Sequence, residues 1–314
     1  MLKFKIFKLT NTAPDVNQGT VLTIGNFDGV HLGHQALLNA LKTSAERLQL
    51  PTMVVLFEPQ PKEYFMGSQG PFRLFSLREK IQLLKSFQID YVVCIGFNAS
   101  WASLSATDFI HHFLIQKLHA KFMMIGPDFH FGRERQGTPR DFCQIAKLHN
   151  VASDIFPVLE KDGHKISSTR IRQLCIENQF VEMEKCLGFP YFYLGRVVYG
   201  RQLAGSWGIP TANIRISAQK KGLNGVFCVK IKNCLHNSES VGVANIGLRP
   251  TIDGVQPMLE VHLLNENINL YGTFLQVFII KRLRDERRFS SLGALKQQIQ
   301  LDVLNAKTYF EKMN

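Results

Sequence analysis

Two histidines three residues apart, His31 and His34, close a glycine-bearing turn that reads GNFDGVHLGH over residues 25–34. The turn joins an apolar, β-prone stretch (21–24) to a helical one that carries Leu37, Leu38, Leu41, Ala45 and Leu48 on one stripe. A strand feeding a helix in this way gathers backbone N–H groups and the positive helix end at one spot. Gly25, Gly29 and Gly33 let a bulky anion approach the main chain. At a spacing of three, both imidazoles face that anion from the first helical turn. The chemistry that needs such a cluster is attack on a phosphate, where oriented donors stabilise charge building on the phosphoryl oxygens. An H-x-x-H pair alone reads more often as surface residues or half a metal site. Here no H-E-x-x-H or nearby cysteine pair completes a zinc site.

Two more loops have the same character. Residues 125–137, IGPDFHFGRERQG, combine a carboxylate with aromatic residues, glycines, Arg133 and Arg135. That mixture suits a planar ring system with phosphate at its rim. In residues 165–172, KISSTRIR, Ser167, Ser168 and Thr169 either cap the following helix or grip phosphate, with Arg170 and Arg172 adding charge.

Farther on, residues 200–213 read GRQLAGSWGIPTAN, a glycine-bearing loop without the Lys-Ser/Thr ending of a Walker loop. Thr211 and Asn213 are two apart, so an extended chain points them the same way; one hydroxyl and one amide oxygen suit Mg²⁺ beside a phosphate. Residues 259–263 alternate as a strand. If Leu259, Val261 and Leu263 face a core, Glu260 and His262 take the other side. A carboxylate there could act as general base, although spacing alone favours a solvated strand residue.

The elements that must position these groups fall into two regions. Strands are expected at 21–24, 52–57, 91–95, 122–125 and 154–158, with helices at 77–87, 106–118 and 139–149 between them. This alternation predicts an α/β fold with a doubly wound parallel sheet, which binds ligands beyond the carboxyl ends of its strands. After residue 186 the texture turns β-rich, with strands at 196–199, 226–231, 241–246, 258–264 and 274–280. A small antiparallel β-barrel is expected, closed by a C-terminal helix carrying Leu292, Leu295, Ile299, Val303, Ala306 and Phe310 on one face. The predicted domains are 1–186 and 187–314.

The 314 residues hold 37 basic and 25 acidic side chains, a net charge of +12, but the basic residues are spread out and no nucleic-acid motif accompanies them. Anionic small molecules are therefore the expected partners, with no nucleic acid and no membrane; self-association is left open. No apolar run reaches membrane-spanning length and no signal peptide is read at the start. Six scattered cysteines without a C-x-x-C suit reduced thiols in a cytoplasmic protein.

With these motifs in place, the chain resembles the bacterial bifunctional riboflavin kinase/FMN adenylyltransferases over nearly its full length. The matching stretches are TIGNFDGVHLGH, DFHFG with R-x-R-x-G, ISSTRIR, GIPTAN, GVANIGLRPTI, LEVHLLN and LYG. The resemblance implies two ATP-dependent steps: the barrel phosphorylates riboflavin to FMN, and the nucleotidylyltransferase-like first domain joins AMP to FMN, giving FAD and pyrophosphate. It implies that His31 and His34 stabilise the ATP phosphates, with Gly25, Phe27, Asp28 and Gly33 shaping the turn. Ser167, Ser168, Thr169 and Arg172 would grip the triphosphate, and Asp128 and Phe129 would lie toward the flavin. In the kinase, Gly200, Arg201, Gly208 and Pro210 would form the ATP loop, Thr211 and Asn213 would organise Mg–ATP, and Glu260 would be the base. Gly247, Pro250 and Thr251 would shape the barrel near its flavin side. Three departures stand out: Gln60 where the family has histidine, His130 for arginine, and Ala204-Gly205 for Gly-Arg in the kinase loop. The last frames an alternative, an FMN adenylyltransferase whose barrel only binds flavin. A rival of another class is a flavin- or nucleotide-binding regulatory protein.

Overall fold

The computed structural model describes residues 5–9, 16–199, 207, 209–251, 254–264, 268 and 270–313. The chain forms two compact units: residues 1–71 with 80–167, and residues 72–79 with 168–314.

The first unit is built on strands β1 (Lys5–Leu9), β2 (Thr20–Ile24), β3 (Thr52–Phe57), β4 (Tyr91–Ile95), β5 (Ala120–Ile125) and β6 (Ala152–Ile155). They pair in the order β1-β4-β3-β2-β5-β6, every pair parallel. Every residue of β2, β3 and β4 is buried, as a sheet covered on both faces requires. The cover includes α1 (Leu32–Leu48), α4 (Ala99–Ala102), α5 (Ala106–Asp108), the segment Phe109–Lys117 and α6 (Pro139–Leu148); α3 (Leu77–Ser86) contributes from Lys80 onward, and α2 (Pro61–Met66) buries no residue. A short hairpin, β7 (Glu160–Lys161) with β8 (His164–Lys165), follows the sheet.

The expected strands and helices appear with several differences, and the strand expected at 154–158 is found at Ala152–Ile155. β1 was not expected, because its lysines interrupt the apolar pattern of what proves to be an edge strand. Phe109–Lys117 winds as a π-helix instead of continuing the α-helix expected at 106–118. Leu48 ends 40% exposed, since the stripe of α1 leaves the core in its last turn.

The second unit holds a closed barrel of β9 (Phe192–Val198), β10 (Ala212–Arg215), β11 (Gly225–Asn233), β12 (Glu239–Thr251), β13 (Gly254–Leu263) and β14 (Phe274–Arg284). The order is β10-β13-β12-β11-β14-β9, all antiparallel. Helix α9 (Leu292–Glu311) buries Ala306 and Phe310 against Val226, Cys228 and Val243 of the barrel. Arg284 of β14 grips Asp302 of α9 through Nε and Nη2, at 2.7–3.0 Å. The stripe expected along α9 is not buried at its start, where Leu292 is 65% exposed.

Helices α7 (Ser168–Ile176) and α8 (Phe180–Leu187) belong to the barrel's unit, although the sequence texture changes only after them. So does the distant segment 72–79. Glu79 at the start of α3 accepts hydrogen bonds from the Leu194 amide at 2.8 Å and Lys220 Nζ at 2.7 Å. Lys220 also donates to the Phe192 carbonyl and lies over the rings of Tyr193, Phe75 and Tyr191 at 4.1–4.9 Å. Cys94, Cys175, Cys186 and Cys228 are buried free thiols. Among the described residues, no helix is long and apolar enough to cross a membrane.

Candidate functional site

The histidine turn lies at the carboxyl end of β2, where a doubly wound sheet places its ligands. The chain leaves the strand through Gly25 and holds positive φ at Phe27 (45°), Gly29 (99°) and Val30 (41°). Left-handed conformations at two bulky residues are unusual and persist only when the surroundings enforce them. Here Phe27 and Val30 are buried, and the Gln35 side chain donates to the Val30 carbonyl at 2.8 Å.

His31 is the N-cap of α1 and is only 7% exposed; its Nδ1 accepts from the His34 amide at 3.3 Å. That bond leaves the proton of the neutral ring on Nε2. The His31 and His34 rings stack with centroids 3.7 Å apart, and Phe27 packs on His34 at 4.9 Å. A Cβ on Gly33 would stand 3.2 Å from His31 Nδ1, so glycine leaves room for the imidazole. Burial lowers the pKa of His31 to about 4 and that of His34 well below its ordinary range; neighbouring His31 and Lys80 push His34 in the same direction. Both rings are therefore neutral hydrogen-bonding groups at pH 7. Among the described residues, His34 Nδ1 is buried without a hydrogen-bond partner, which leaves it to a ligand or water. Asp28 is 2% exposed.

The 165–172 segment divides between the units. Ile166 is buried, and its carbonyl is 3.8 Å from the position of a Cβ on Gly33, so the chain entering Ser167 passes the start of α1. Ser168, Thr169 and Arg172 open α7 in the second unit, where Arg172 Nε donates to the Phe72 carbonyl at 2.6 Å.

Beside the histidine turn, a cavity of about 600 Å³ reaches Gly25 and Asn26. Asp128, Phe129, His130 and Phe131 line it as the sequence suggested, and Arg135 joins them. Arg133 is absent from the lining; the backbone turns at Glu134 and Arg135, both at positive φ, and separates the two arginines. Phe129 and Phe131 stack at 5.6 Å, and Asp128 is ion-paired with Lys165. A Cβ on Gly132 would meet the Ala106 amide at 2.9 Å, so only glycine fits this bend. Sequence reasoning missed four more aromatic residues of the lining, Phe57, Phe65, Phe97 and Trp101. The available signal was an aromatic residue at or just past the ends of β3 and β4.

In the barrel, Leu259, Val261 and Leu263 are buried at 0%, 1% and 7% exposure, so Glu260 and His262 take the other face. Glu260 pairs directly with Asn213 of β10 on one side and Asn245 of β12 on the other. Residues opposite each other in an antiparallel ladder share a face, which makes Asn213, Glu260 and Asn245 a polar row across three strands. The Asn213 amide donates to the Thr211 carbonyl at 3.2 Å. Its Oδ1 is buried without a partner among the described residues, an acceptor that suits a cation. His262 Nδ1 lies 2.9 Å from the Pro210 carbonyl, and burial lowers its pKa. Asn245 was missed, although it sits inside a quoted motif. A Cβ on Gly247 would stand 2.2 Å from Glu286, so Gly247 admits that side chain. Gly200, Arg201, Gly208 and the Ala204-Gly205 departure lie outside the described residues, as do the side chains of Pro250 and Thr251.

Residues 13–170 match the family model of FAD synthetase, and residues 187–310 match that of riboflavin kinase. A bifunctional riboflavin kinase/FMN adenylyltransferase from Escherichia coli strain K12 is 42% identical over 303 residues, spanning 96% of both chains. One from Buchnera aphidicola subsp. Acyrthosiphon pisum (strain APS) is 40% identical over 308 residues, spanning 98% of both. Among solved structures, one described as a macrolide-efflux protein from Streptococcus pneumoniae aligns with a TM-score of 0.77 at 26% identity, over 98% of this chain and 99% of that one. Matches of this identity and span, with a family model on each region, place the chain in the bifunctional riboflavin kinase/FMN adenylyltransferase family.

Proposed function

We propose that this chain converts riboflavin to FMN and FMN to FAD, using ATP in each step. The observation that carries this reading is the pairing of both family matches with two separate polar arrangements, one in each region. It favours two activities over an adenylyltransferase with an idle barrel. The assignment of adenylyl transfer to 1–186 and phosphorylation to 187–314 belongs to the same proposal, as does a cytoplasmic setting.

For adenylyl transfer, the aromatic cavity holds the isoalloxazine ring, with Asp128 and Phe129 on its wall. A phosphate oxygen of FMN attacks the α-phosphorus of ATP, and pyrophosphate leaves. His31 and His34, neutral and fixed at the helix start, donate hydrogen bonds to the phosphoryl oxygens as charge builds there. The backbone around Gly25, Phe27, Asp28 and Gly33 shapes the anion cradle. Ser167, Ser168, Thr169 and Arg172 grip the triphosphate.

For the kinase, Glu260 accepts the proton of the 5′-hydroxyl of riboflavin as that oxygen attacks the γ-phosphorus, and ADP leaves. Thr211 and Asn213 would hold Mg²⁺, whose chemistry is to screen polyphosphate charge; the unpartnered Asn213 Oδ1 fits that role. Gly200, Arg201, Gly208 and Pro210 form the ATP loop.

The test is to supply riboflavin, ATP and Mg²⁺ and separate the flavins by chromatography. The parent protein makes FMN and FAD. Glu260→Gln retains FMN-to-FAD conversion and loses FMN formation by about two orders of magnitude or more; His34→Ala shows the reverse. Production of neither flavin by the folded parent would overturn the reading, and FAD formation from FMN alone would restore the single-activity alternative.

A further inference from the structure

We infer that Lys80, which lies outside every motif above, is a positioning residue for adenylyl transfer, holding the turn that presents the histidine pair to the nucleotide. The inference rests on the proposed role of His31 and His34.

Lys80 is fully buried in the first unit, and its Nζ donates to the Asn26 carbonyl at 3.1 Å. Removing an ammonium from water carries a large desolvation penalty, whereas burying an apolar side chain of the same size is favourable. A tie that served packing alone would be made more cheaply by a neutral residue, so the position of the charge needs a reason.

The geometry supplies one. The peptide after Asn26 is trans, and in a trans peptide the carbonyl and the following amide point opposite ways. Drawing the Asn26 carbonyl toward Lys80 therefore aims the Phe27 N–H away from Lys80. It also holds Phe27 at φ 45°, a conformation that a bulky residue keeps only when neighbours enforce it. The Phe27 ring packs on His34, and His34 stacks on His31. Lys80, Asn26, Phe27, His34 and His31 thus form one mechanical chain ending at the proposed phosphate donors. Burial is the main reason that His34 stays neutral, and the ammonium adds to it by disfavouring protonation of the ring.

A residue acting this way sets the alignment of the transition state more than the affinity for ground-state FMN. The experiment compares the full-length parent, Lys80→Met, Lys80→Arg and His34→Ala, measuring kcat and KM for FMN in adenylyl transfer. Riboflavin phosphorylation and thermal melting serve as fold controls. Lys80→Met is expected to lower kcat about 30-fold or more, with KM for FMN within about threefold and the kinase step unchanged; Lys80→Arg restores a large part of kcat. If Lys80→Met does not fold, Lys80→Gln is read by the same criteria. A folded Met or Gln variant with kcat within about threefold of the parent, while His34→Ala is inactive, overturns the role of Lys80 alone. So does an arginine variant no better than methionine. Parent-like adenylyl transfer by His34→Ala overturns the histidine site itself.

Discussion

Asn213 and Glu260 face each other in register on neighbouring barrel strands, with the Asn213 side-chain oxygen buried and lacking a partner among the described residues. A carboxylate and an unsatisfied amide oxygen on one face form an oxygen-rich edge suited to a hard cation beside a phosphate. This arrangement comes from strand pairing between residues 47 positions apart, held by the barrel rather than by any local motif.

Replacing Asn213 by alanine should raise the Mg²⁺ concentration for half-maximal riboflavin phosphorylation by about tenfold, the size expected for losing one contact to a charged group. FMN-to-FAD conversion should keep its parent Mg²⁺ dependence. Kinase rates across a Mg²⁺ titration at saturating ATP check this, and an unchanged curve would remove Asn213 from the cation's surroundings.

Phe129 stacks parallel to Phe131 along the aromatic cavity. Phe129→Ala should raise KM for FMN in adenylyl transfer by roughly tenfold, since an aromatic contact contributes about 1 kcal/mol beyond its area. KM for riboflavin in the kinase step should stay at the parent value. Steady-state kinetics with each flavin separate the two sites.

Acid should weaken the first unit through its histidines. His31 holds its proton only below about pH 4 when folded, against an ordinary value of 6.5, and His34 is lowered as well. Between these pH values the unfolded chain binds protons that the fold refuses. Stability therefore falls as the pH drops from 6.5 toward 4, by up to about 1.4 kcal/mol per pH unit for each histidine. His31→Gln removes one of these uptakes. Urea midpoints between pH 4.5 and 7 should show a shallower slope for the variant than for the parent.

Glu79 and Lys220 are each 2% exposed and bonded at 2.7 Å. Lys220→Met leaves the Glu79 carboxylate buried without its cation, which should destabilise the second unit by about 3–5 kcal/mol. Glu79→Leu combined with Lys220→Met should recover a good part of that loss, because no charge is then left buried. Thermal melting of the parent, single and double variants decides it; a double variant no better than the single would mean that the Leu194 amide bond matters more than the charge.

Much of this protein is legible in its chain order, because the informative signals are local. Alternation of apolar strands and amphipathic helices specifies the parallel sheet, and the change after residue 186 specifies the barrel. Glycine spacing and the His31–His34 interval mark the turn, since both depend on backbone conformation within a few residues. Tertiary structure decided what depends on partners distant in sequence. The lining of the aromatic cavity includes Phe57, Phe65, Phe97 and Trp101, which the fold brings together with Phe129 and Phe131. Segment 72–79 joins the barrel because Glu79 and Lys220, 141 residues apart, neutralise each other in an aromatic enclosure. The neutrality of the two histidines is decided in the same way. Burial lowers the pKa of both, His31 and the Lys80 charge add to the effect at His34, and a sequence carries no record of the solvent a side chain loses when the chain folds.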